Sequence, residues 1–169
     1  MKLSTKGRYG LRAMIDLARY SEEMPVSISC IAARQGLSEG YLEQLVALLR
    51  KAGLVKSIRG ASGGYVLTRA AKEISVGDIL RALEGSLEPV KCSAFYEGEG
   101  CTAAGGCVTK YVWQKINDSI NRTVDEMSLE ELVNETRTII LYEAPHKLVR
   151  TLRDLRETLG NRRMTLCRE

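Results

Sequence analysis

Leu37-Ser38-Glu39-Gly40-Tyr41-Leu42-Glu43-Gln44-Leu45-Val46-Ala47-Leu48-Leu49-Arg50 and, just after it, Leu54-Val55-Lys56-Ser57-Ile58-Arg59-Gly60-Ala61-Ser62-Gly63-Gly64-Tyr65-Val66-Leu67-Thr68 decide the fold. In the first stretch Ser38 is a helix-opening residue, and Leu42, Leu45, Val46 and Leu49 fall at i, i+3, i+4 and i+7. Tyr41, Glu43, Gln44 and Arg50 lie largely off that apolar stripe, and Gly53 closes the run. The second stretch reads as two short strands joined by a glycine-rich tip from Arg59 to Gly64. A helix followed by such a hairpin is a helix with a wing.

Working backwards, Ile31-Ala32-Ala33-Arg34-Gln35 forms a short helix capped by Ser27 or Ser29 and ended at Gly36. Before it, Leu11, Met14, Ile15 and Ala18 make the stripe of a longer helix, with Arg8, Arg12, Asp16 and Arg19 elsewhere around the turn and Pro25 beyond its end. Two helices joined at Gly36, the second opening on polar residues, match a helix-turn-helix. Arg59 at the base of a glycine-rich tip suits a minor groove, whose negative potential attracts a guanidinium. The competing reading of these glycines is a nucleotide phosphate cradle. It fails because the segment has no lysine-serine ending and opens no helix.

The composition agrees. The chain has 169 residues, 44% hydrophobic and 27% charged, in the range of one compact domain with an appendage. No apolar run reaches the roughly 20 residues that span a bilayer, so no membrane partner is expected. Met1 to Lys6 leads into no signal-peptide core, which predicts a cytoplasmic protein with reduced thiols. The formal charge is +4 overall, but +7 over residues 1–72, −7 over 73–135 and +4 over 136–169. A basic first half joined to an acidic middle suggests a module that grips a polyanion, with duplex DNA the leading partner.

Beyond the wing, Ser75-Val76-Gly77-Asp78 reads as a capping box for a helix with Val76, Ile79, Leu80 and Leu83 on its apolar face, ending near Gly85. Between Glu88 and Cys107 the periodicity disappears. Cys92, Cys101 and Cys107 occur there, separated by eight and five residues, among Gly98, Gly100, Gly105 and Gly106. Glycine lets the backbone fold tightly enough for thiolates to converge on a soft metal centre. Structural zinc usually shows short C-x-x-C knuckles and four clear ligands, which are absent. The spacing therefore favours an iron–sulfur cluster held by three thiolates and one other ligand. Cys30, in the apolar register of the short second helix, and Cys167 in the tail read as ordinary thiols.

From Val108 the helical period returns: Val108, Val112, Ile116, Ile120 and Val124 recur every four residues, with Tyr111 and Trp113 adding bulk. Such a helix of about five turns has more apolar surface than one small domain covers. A second copy is its expected cover, giving a homodimer on a roughly palindromic operator. Ser128 with Glu131 caps a further short helix through Leu129 and Val133.

The opening Met1-Lys2-Leu3-Ser4-Thr5-Lys6-Gly7-Arg8-Tyr9-Gly10-Leu11-Arg12-Ala13, the helix Leu37 to Leu45, the wing Arg59 to Tyr65, the three loop cysteines and Val108-Thr109-Lys110-Tyr111-Val112-Trp113 resemble the IscR-type transcriptional regulators over about residues 1–134. That resemblance implies a homodimeric winged-helix repressor or activator that is not an enzyme. It implies an iron–sulfur cluster, usually [2Fe–2S] with [4Fe–4S] the alternative, which reports cluster supply or nitrosative or oxidative stress. Cys92, Cys101 and Cys107 would be the iron ligands. Ser38, Tyr41, Gln44 and Arg59 would contact DNA, and the basic N-terminus at Lys2, Lys6 and Arg8 would grip phosphate. The chain departs from the family at the fourth ligand. A histidine three residues past the last cysteine is replaced by Lys110, and an acidic residue used by related nitric-oxide sensors is replaced near Arg8. Glu43, Glu97, Glu99 or a small exogenous thiol are the candidates left. Two alternatives stay open: a cluster-free winged-helix repressor of cysteine metabolism with idle loop cysteines, and a thiol- or cluster-based redox protein.

Residues 136–169, from Thr136 to Glu169, resemble an internal piece of the RsmI-type ribosomal RNA ribose methyltransferases. They read as strand, helix, strand: Ile139 to Tyr142, a helix from Pro145 carrying Leu148, Val149, Leu152, Leu155 and Leu159, a stop at Gly160, then Met164 to Leu166. The cofactor-binding half of such an enzyme is missing, so the segment reads as a foreign, non-functional tail. The expected organisation is thus mainly α: a winged helix-turn-helix domain (1–86), a cysteine loop (87–107), a long dimerisation helix and a short helix (108–135), and a β-α-β-like tail (136–169).

Overall fold

The structure is a computed structural model and describes residues 4–21, 24–60, 62–90, 106–134 and 148–159. In chain order the elements are α1 (Thr5–Tyr20), α2 (Ile28–Gln35), α3 (Glu39–Lys51), β1 (Val55–Ile58), β2 (Gly64–Leu67), a 3-10 turn (Ala71–Glu73), α4 (Val76–Glu84), α5 (Thr109–Glu126), α6 (Leu129–Val133) and α7 (Leu148–Leu159). The chain divides into two compact units, Met1–Glu135 and Thr136–Glu169.

Serine hydroxyls start the helices of the first unit. Ser4, Ser27, Ser38, Ser75 and Ser128 each accept a backbone N–H from the first turn of the helix that follows, supplying partners for donors that a helix end leaves orphaned. At α4 the box is reciprocal, since the Asp78 carboxylate also accepts the Ser75 N–H. Gly36 ends α2 in the left-handed conformation at φ 66°, and the turn it makes carries the chain into α3.

The strands pair antiparallel, with Val55 opposite Leu67 and Ile58 opposite Gly64. Val26 adds a third edge: its N–H donates to the Tyr65 carbonyl at 3.0 Å, and Tyr65 N–H donates back at 2.8 Å. Gly64 makes this approach possible, because a Cβ there would lie 2.5 Å from the Val26 carbonyl oxygen. The wing is thereby fastened to the linker between α1 and α2.

The core is built around α1 and α3. Met14, Leu17, Ile31, Leu42, Leu45, Leu49, Ile74, Ile79 and Leu129 are its largest fully buried apolar side chains, each stabilising by about 1.5–3 kcal/mol. The stripe expected on α3 is fully buried, but on α1 only Met14 and Ala18 of the expected stripe are buried, Leu11 and Ile15 are half-buried, and the buried face is shifted and broadened. Ala13, Leu17 and Asp16 are buried along with Met14 and Ala18, because α2, α3, α4 and α6 all pack on this one helix. Asp16, expected among the solvated charges, is only 3% exposed. Cys30 goes the other way: the sequence placed it in the apolar register of α2, and it is exposed.

After α5 the chain returns to the head. Leu129 N–H donates to the Ile74 carbonyl at 2.8 Å and Val76 N–H to the Met127 carbonyl at 2.9 Å, and Leu129 enters the core. In the second unit α7 matches the expected tail helix, with Leu148, Leu152 and Leu155 half-buried and Val149 exposed. The two strands expected on either side of it fall outside the described residues.

Candidate DNA-binding surface and cysteine segment

One face of α3 is fully buried, and the other is polar and accessible. Gly40, Gln44, Ala47 and Lys51 follow one another at helical spacing and are all exposed, flanked by the exposed Glu43 and Arg50. Gly40 and Ala47 are small, which lets the helix axis approach a groove floor. Gln44 between them carries the donor and acceptor pair that matches an adenine edge. Ser38 spends one lone pair on the Tyr41 N–H at 3.3 Å, and its hydroxyl proton is still available to a phosphate oxygen.

Tyr41 is half-buried, so it is more than a surface contact. Its hydroxyl donates a long hydrogen bond to Thr5 Oγ1 at 3.4 Å, and its ring meets the Tyr9 ring edge-on with centroids 6.1 Å apart. Arg8 and Arg12 lie against the same Tyr9 ring at 5.5 and 5.7 Å. The first turns of α1 and α3 are therefore joined, and the exposed cations Lys6, Arg8 and Arg12 flank that junction. Lys2 lies outside the described residues. Arg59 is exposed where β1 gives way to the wing tip, followed by Gly60 at φ 126°, and Lys56 is exposed one strand period earlier than Ile58.

A polar network that sequence reasoning missed fixes α2 against α1. Arg34 donates to the buried Asp16 through Nε at 2.9 Å and through its terminal nitrogen at 2.6 Å, and stacks on Tyr20 at 4.3 Å. Gln35 Nε2 donates to the same carboxylate at 3.0 Å, and its Oε1 accepts from Arg12 Nε at 2.9 Å. The Asp16 hydrogen bond outweighs the cost of burial and holds the Arg34 guanidinium above its ordinary pKa. Asp16 lies off the apolar spacing of α1, between Ile15 and Leu17, and nothing local distinguishes that from a solvated position.

Of the three loop cysteines, Cys92 and Cys101 lie outside the described residues, as do Glu97 and Glu99. Cys107 is half-buried immediately before α5, a helix whose start has neither a side-chain cap nor an acidic first turn. Its Sγ is 3.1 Å from Thr109 Oγ1. The Thr109 hydroxyl, then the backbone N–H of Lys110, hold the Cys107 thiol below its ordinary pKa. Thiolate is the form in which cysteine binds metal. Glu43 is exposed on α3 beside Gln44.

α5 splits into two halves. Residues four apart advance about 40° around a helix beyond a full turn, so the apolar row from Val108 to Val124 winds through about 160°. Ile120 and Val124 pack against the cluster of Val76, Leu80 and Leu87, while Val108 at 77%, Tyr111 at 66%, Val112 at 52% and Ile116 at 38% are exposed. No helix among the described residues is long and apolar enough to cross a membrane.

Comparison with known proteins joins these features. The family profile described as "Rrf2: Iron-dependent Transcriptional regulator" matches residues 3–135. The HTH-type transcriptional regulator IscR of Pectobacterium carotovorum is 42% identical over 139 residues, covering 82% of this chain and 83% of that protein. Among solved structures, CymR, the global cysteine regulator of B. subtilis, is 47% identical at a TM-score of 0.66, covering 81% of this chain and 99% of that one. IscR of T. potens is 47% identical at a TM-score of 0.65, covering 85% and 94%.

Proposed function

The chain belongs to the Rrf2 family of iron-dependent transcriptional regulators, and from that premise we propose how it recognises DNA and what it senses. It is a DNA-binding transcriptional regulator rather than an enzyme. Two copies pair along the exposed half of α5, and each presents α3 to one half-site of a roughly palindromic operator, about one DNA turn apart. Gln44 reads a base edge, Ser38 and Tyr41 contact the backbone, Arg59 enters the minor groove, and Lys2, Lys6 and Arg8 hold phosphates. The observation that carries this reading is the exposed face of α3, polar and with small residues on either side of Gln44, joined through Tyr41 to the basic first turn of α1. The protein works in the cytoplasm.

The ligand we propose is an iron–sulfur cluster, [2Fe–2S] with [4Fe–4S] the alternative, held by Cys92, Cys101 and Cys107. The fit rests on Cys107, whose position before an uncapped helix beside Thr109 favours the thiolate that iron requires. When bound, a cluster supplies iron whose redox state and retention respond to oxidants and nitric oxide. The chain's own contribution is to hold Cys107 at the start of α5, the helix that pairs the two copies. Glu43, which stands beside Gln44, we assign to the DNA side. That leaves Glu97, Glu99 or an exogenous thiol as the fourth ligand.

A second reading is favoured by the match to CymR, which is as close as that to IscR of T. potens. It is a cluster-free repressor of cysteine metabolism with the same head. Anaerobically purified protein compared with a Cys92→Ala, Cys101→Ala, Cys107→Ala variant separates the two. The first reading expects visible absorbance and bound iron that the variant lacks, together with altered affinity for duplexes selected from a random pool. Colourless protein whose selected duplexes are bound identically by the variant establishes the second. A pool that yields no preferred duplex removes the proposed mode of DNA recognition.

A further inference from the structure

We propose that Glu84 is a positioning residue for DNA recognition, fastening the first turn of α1 to the end of α4 and so setting where α3 lies. The inference rests on the DNA-binding mode above and goes beyond it, because Glu84 lies on neither α3 nor the wing. Its Oε1 accepts three hydrogen bonds at the start of α1: from Ser4 N–H at 2.9 Å, Ser4 Oγ at 2.7 Å and Gly7 N–H at 3.0 Å. The first turn of α1 has no acidic residue of its own, so a carboxylate from 80 positions along the chain supplies the charge that a helix start favours. Burial works against ionisation here. The Ser4 and Gly7 hydrogen bonds and the nearby Lys6 charge prevail, and the carboxyl sits below its ordinary range.

The backbone is arranged for this contact. A Cβ at Gly7 would lie 2.6 Å from Glu84 Oε1, and one at Gly10 would lie 2.2 Å from Leu83 Cδ1. Two glycines three residues apart thus let the last turn of α4 lie against α1. From that seat the path to the DNA face is short. Thr5 receives the Tyr41 hydroxyl, Tyr9 packs on the Tyr41 ring, and Tyr41 is in the first turn of α3. On the other side of Glu84 the chain turns at Gly85, φ 82°, and heads into the segment that carries Cys92 and Cys101. Glu84 therefore ties the end of α4 to the first turn of α1, which Thr5 and Tyr9 join in turn to Tyr41 on α3.

The test uses the full chain, a duplex selected from a random pool by the wild-type protein, and an unrelated duplex of equal length, at fixed salt. Glu84→Ala is expected to lower affinity for the selected duplex about tenfold while changing the unrelated one little, so that the specificity ratio falls. Glu84→Gln, which keeps an acceptor oxygen, should restore part of the ratio, and Gly7→Ala, which displaces the carboxylate, should resemble Glu84→Ala. Thr5→Val should be non-additive with Glu84→Ala if the path runs through Tyr41. Far-UV circular dichroism at the assay temperature must show each variant folded; if Glu84→Ala is not, the inference is read from Glu84→Gln, whose specificity ratio must fall below that of the wild type. Folded variants that keep the wild-type ratio overturn the inference, and additive Thr5→Val and Glu84→Ala effects overturn the path. If Gln44→Ala and Arg59→Ala still weaken the selected duplex, the DNA-binding mode survives that failure. A wild-type protein with no preferred duplex refutes the mode itself.

Discussion

Removing either partner of the Asp16–Arg34 pair should destabilise the head, and the two removals should differ in a direction that the geometry fixes. The Asp16 side chain is 1% exposed and accepts from Arg34 twice and from Gln35 once, whereas the Arg34 side chain is 29% exposed and stacks on Tyr20. Breaking a buried pair by deleting one member costs about 3–5 kcal/mol, because the remaining charge is stranded. With Arg34→Ala the stranded charge is a carboxylate that water does not reach and that retains only Gln35, so the loss should fall near about 4 kcal/mol. With Asp16→Ala the stranded group is a guanidinium already partly in solvent and free to turn outward, so about 2 kcal/mol is expected. The double variant should be more stable than Arg34→Ala alone, since no buried charge is left. Urea denaturation followed by circular dichroism at pH 7, at one protein concentration, reads all three values. If Asp16→Ala proves the more damaging variant, or the double variant is the worst of the three, Asp16 is not the buried end of the pair.

Arg59→Ala should weaken binding to the selected duplex and lower the slope of log affinity against log salt by about one, since a guanidinium held in the minor groove displaces about one condensed counterion. An unchanged slope and affinity would remove the wing from the interface. Gly64→Ala forces a Cβ onto the Val26 carbonyl and should cost the Val26–Tyr65 bridge, seen as rapid amide exchange at both residues in hydrogen-exchange measurements. Stability contributed by Glu84 belongs to its ionised form, and its folded pKa lies below the ordinary value of 4.5. The difference between wild type and Glu84→Gln should therefore be full above about pH 4.5 and vanish as pH falls through the lowered pKa, as acid titration of unfolding would show. Deleting residues 136–169 should leave the melting temperature of the remainder and its affinity for the selected duplex unchanged, because Met1–Glu135 is a compact unit by itself.

The local devices were legible because each depends on a few adjacent residues. Ser38 as a cap, the Ser75–Asp78 box, the left-handed turn at Gly36, the hairpin between Val55 and Leu67 and the stripe of Leu42, Leu45, Val46 and Leu49 all stand where spacing put them. What could not be read depends on neighbours far along the chain. Asp16 looks solvated until α2 brings Arg34 over it, Cys30 looks like core until α2 turns it outward, and Glu84 shows no sign of its role until α4 meets α1. The same applies to the candidate site. Tyr41 was legible as a polar residue off the apolar stripe, but its bond to Thr5 needed two helices in register. The apolar row on α5 was read as more surface than one domain covers, and the 40° drift per four residues divides it into a half packed on Val76, Leu80 and Leu87 and an exposed half.

That split bears on how a signal in the cysteine segment reaches DNA. Cys107 lies two residues before α5, and the exposed N-cap Val108 and then Tyr111, Val112 and Ile116 on the helix follow it, so on the proposed pairing the last thiolate belongs to the dimer seam. The first end of the segment belongs to α4, whose Val76 and Leu80 pack on Ile120 and Val124 of that same α5. On the proposed cluster binding, drawing the cysteines together would act on two elements that already touch, α4 and α5, and α4 is hydrogen-bonded to the start of α1 through Glu84. A ligand shifts an equilibrium only by its differential affinity for the two arrangements. On the proposed mode, the seam to perturb is the α1–α4 crossing, where Gly7 and Gly10 admit the Glu84 carboxylate and the Leu80 and Leu83 side chains of α4 against α1. If that proposal holds, Glu84→Gln should shrink the difference in DNA affinity between the anaerobic protein and its Cys92→Ala, Cys101→Ala, Cys107→Ala variant, and an undiminished difference in a binding titration places the coupling elsewhere.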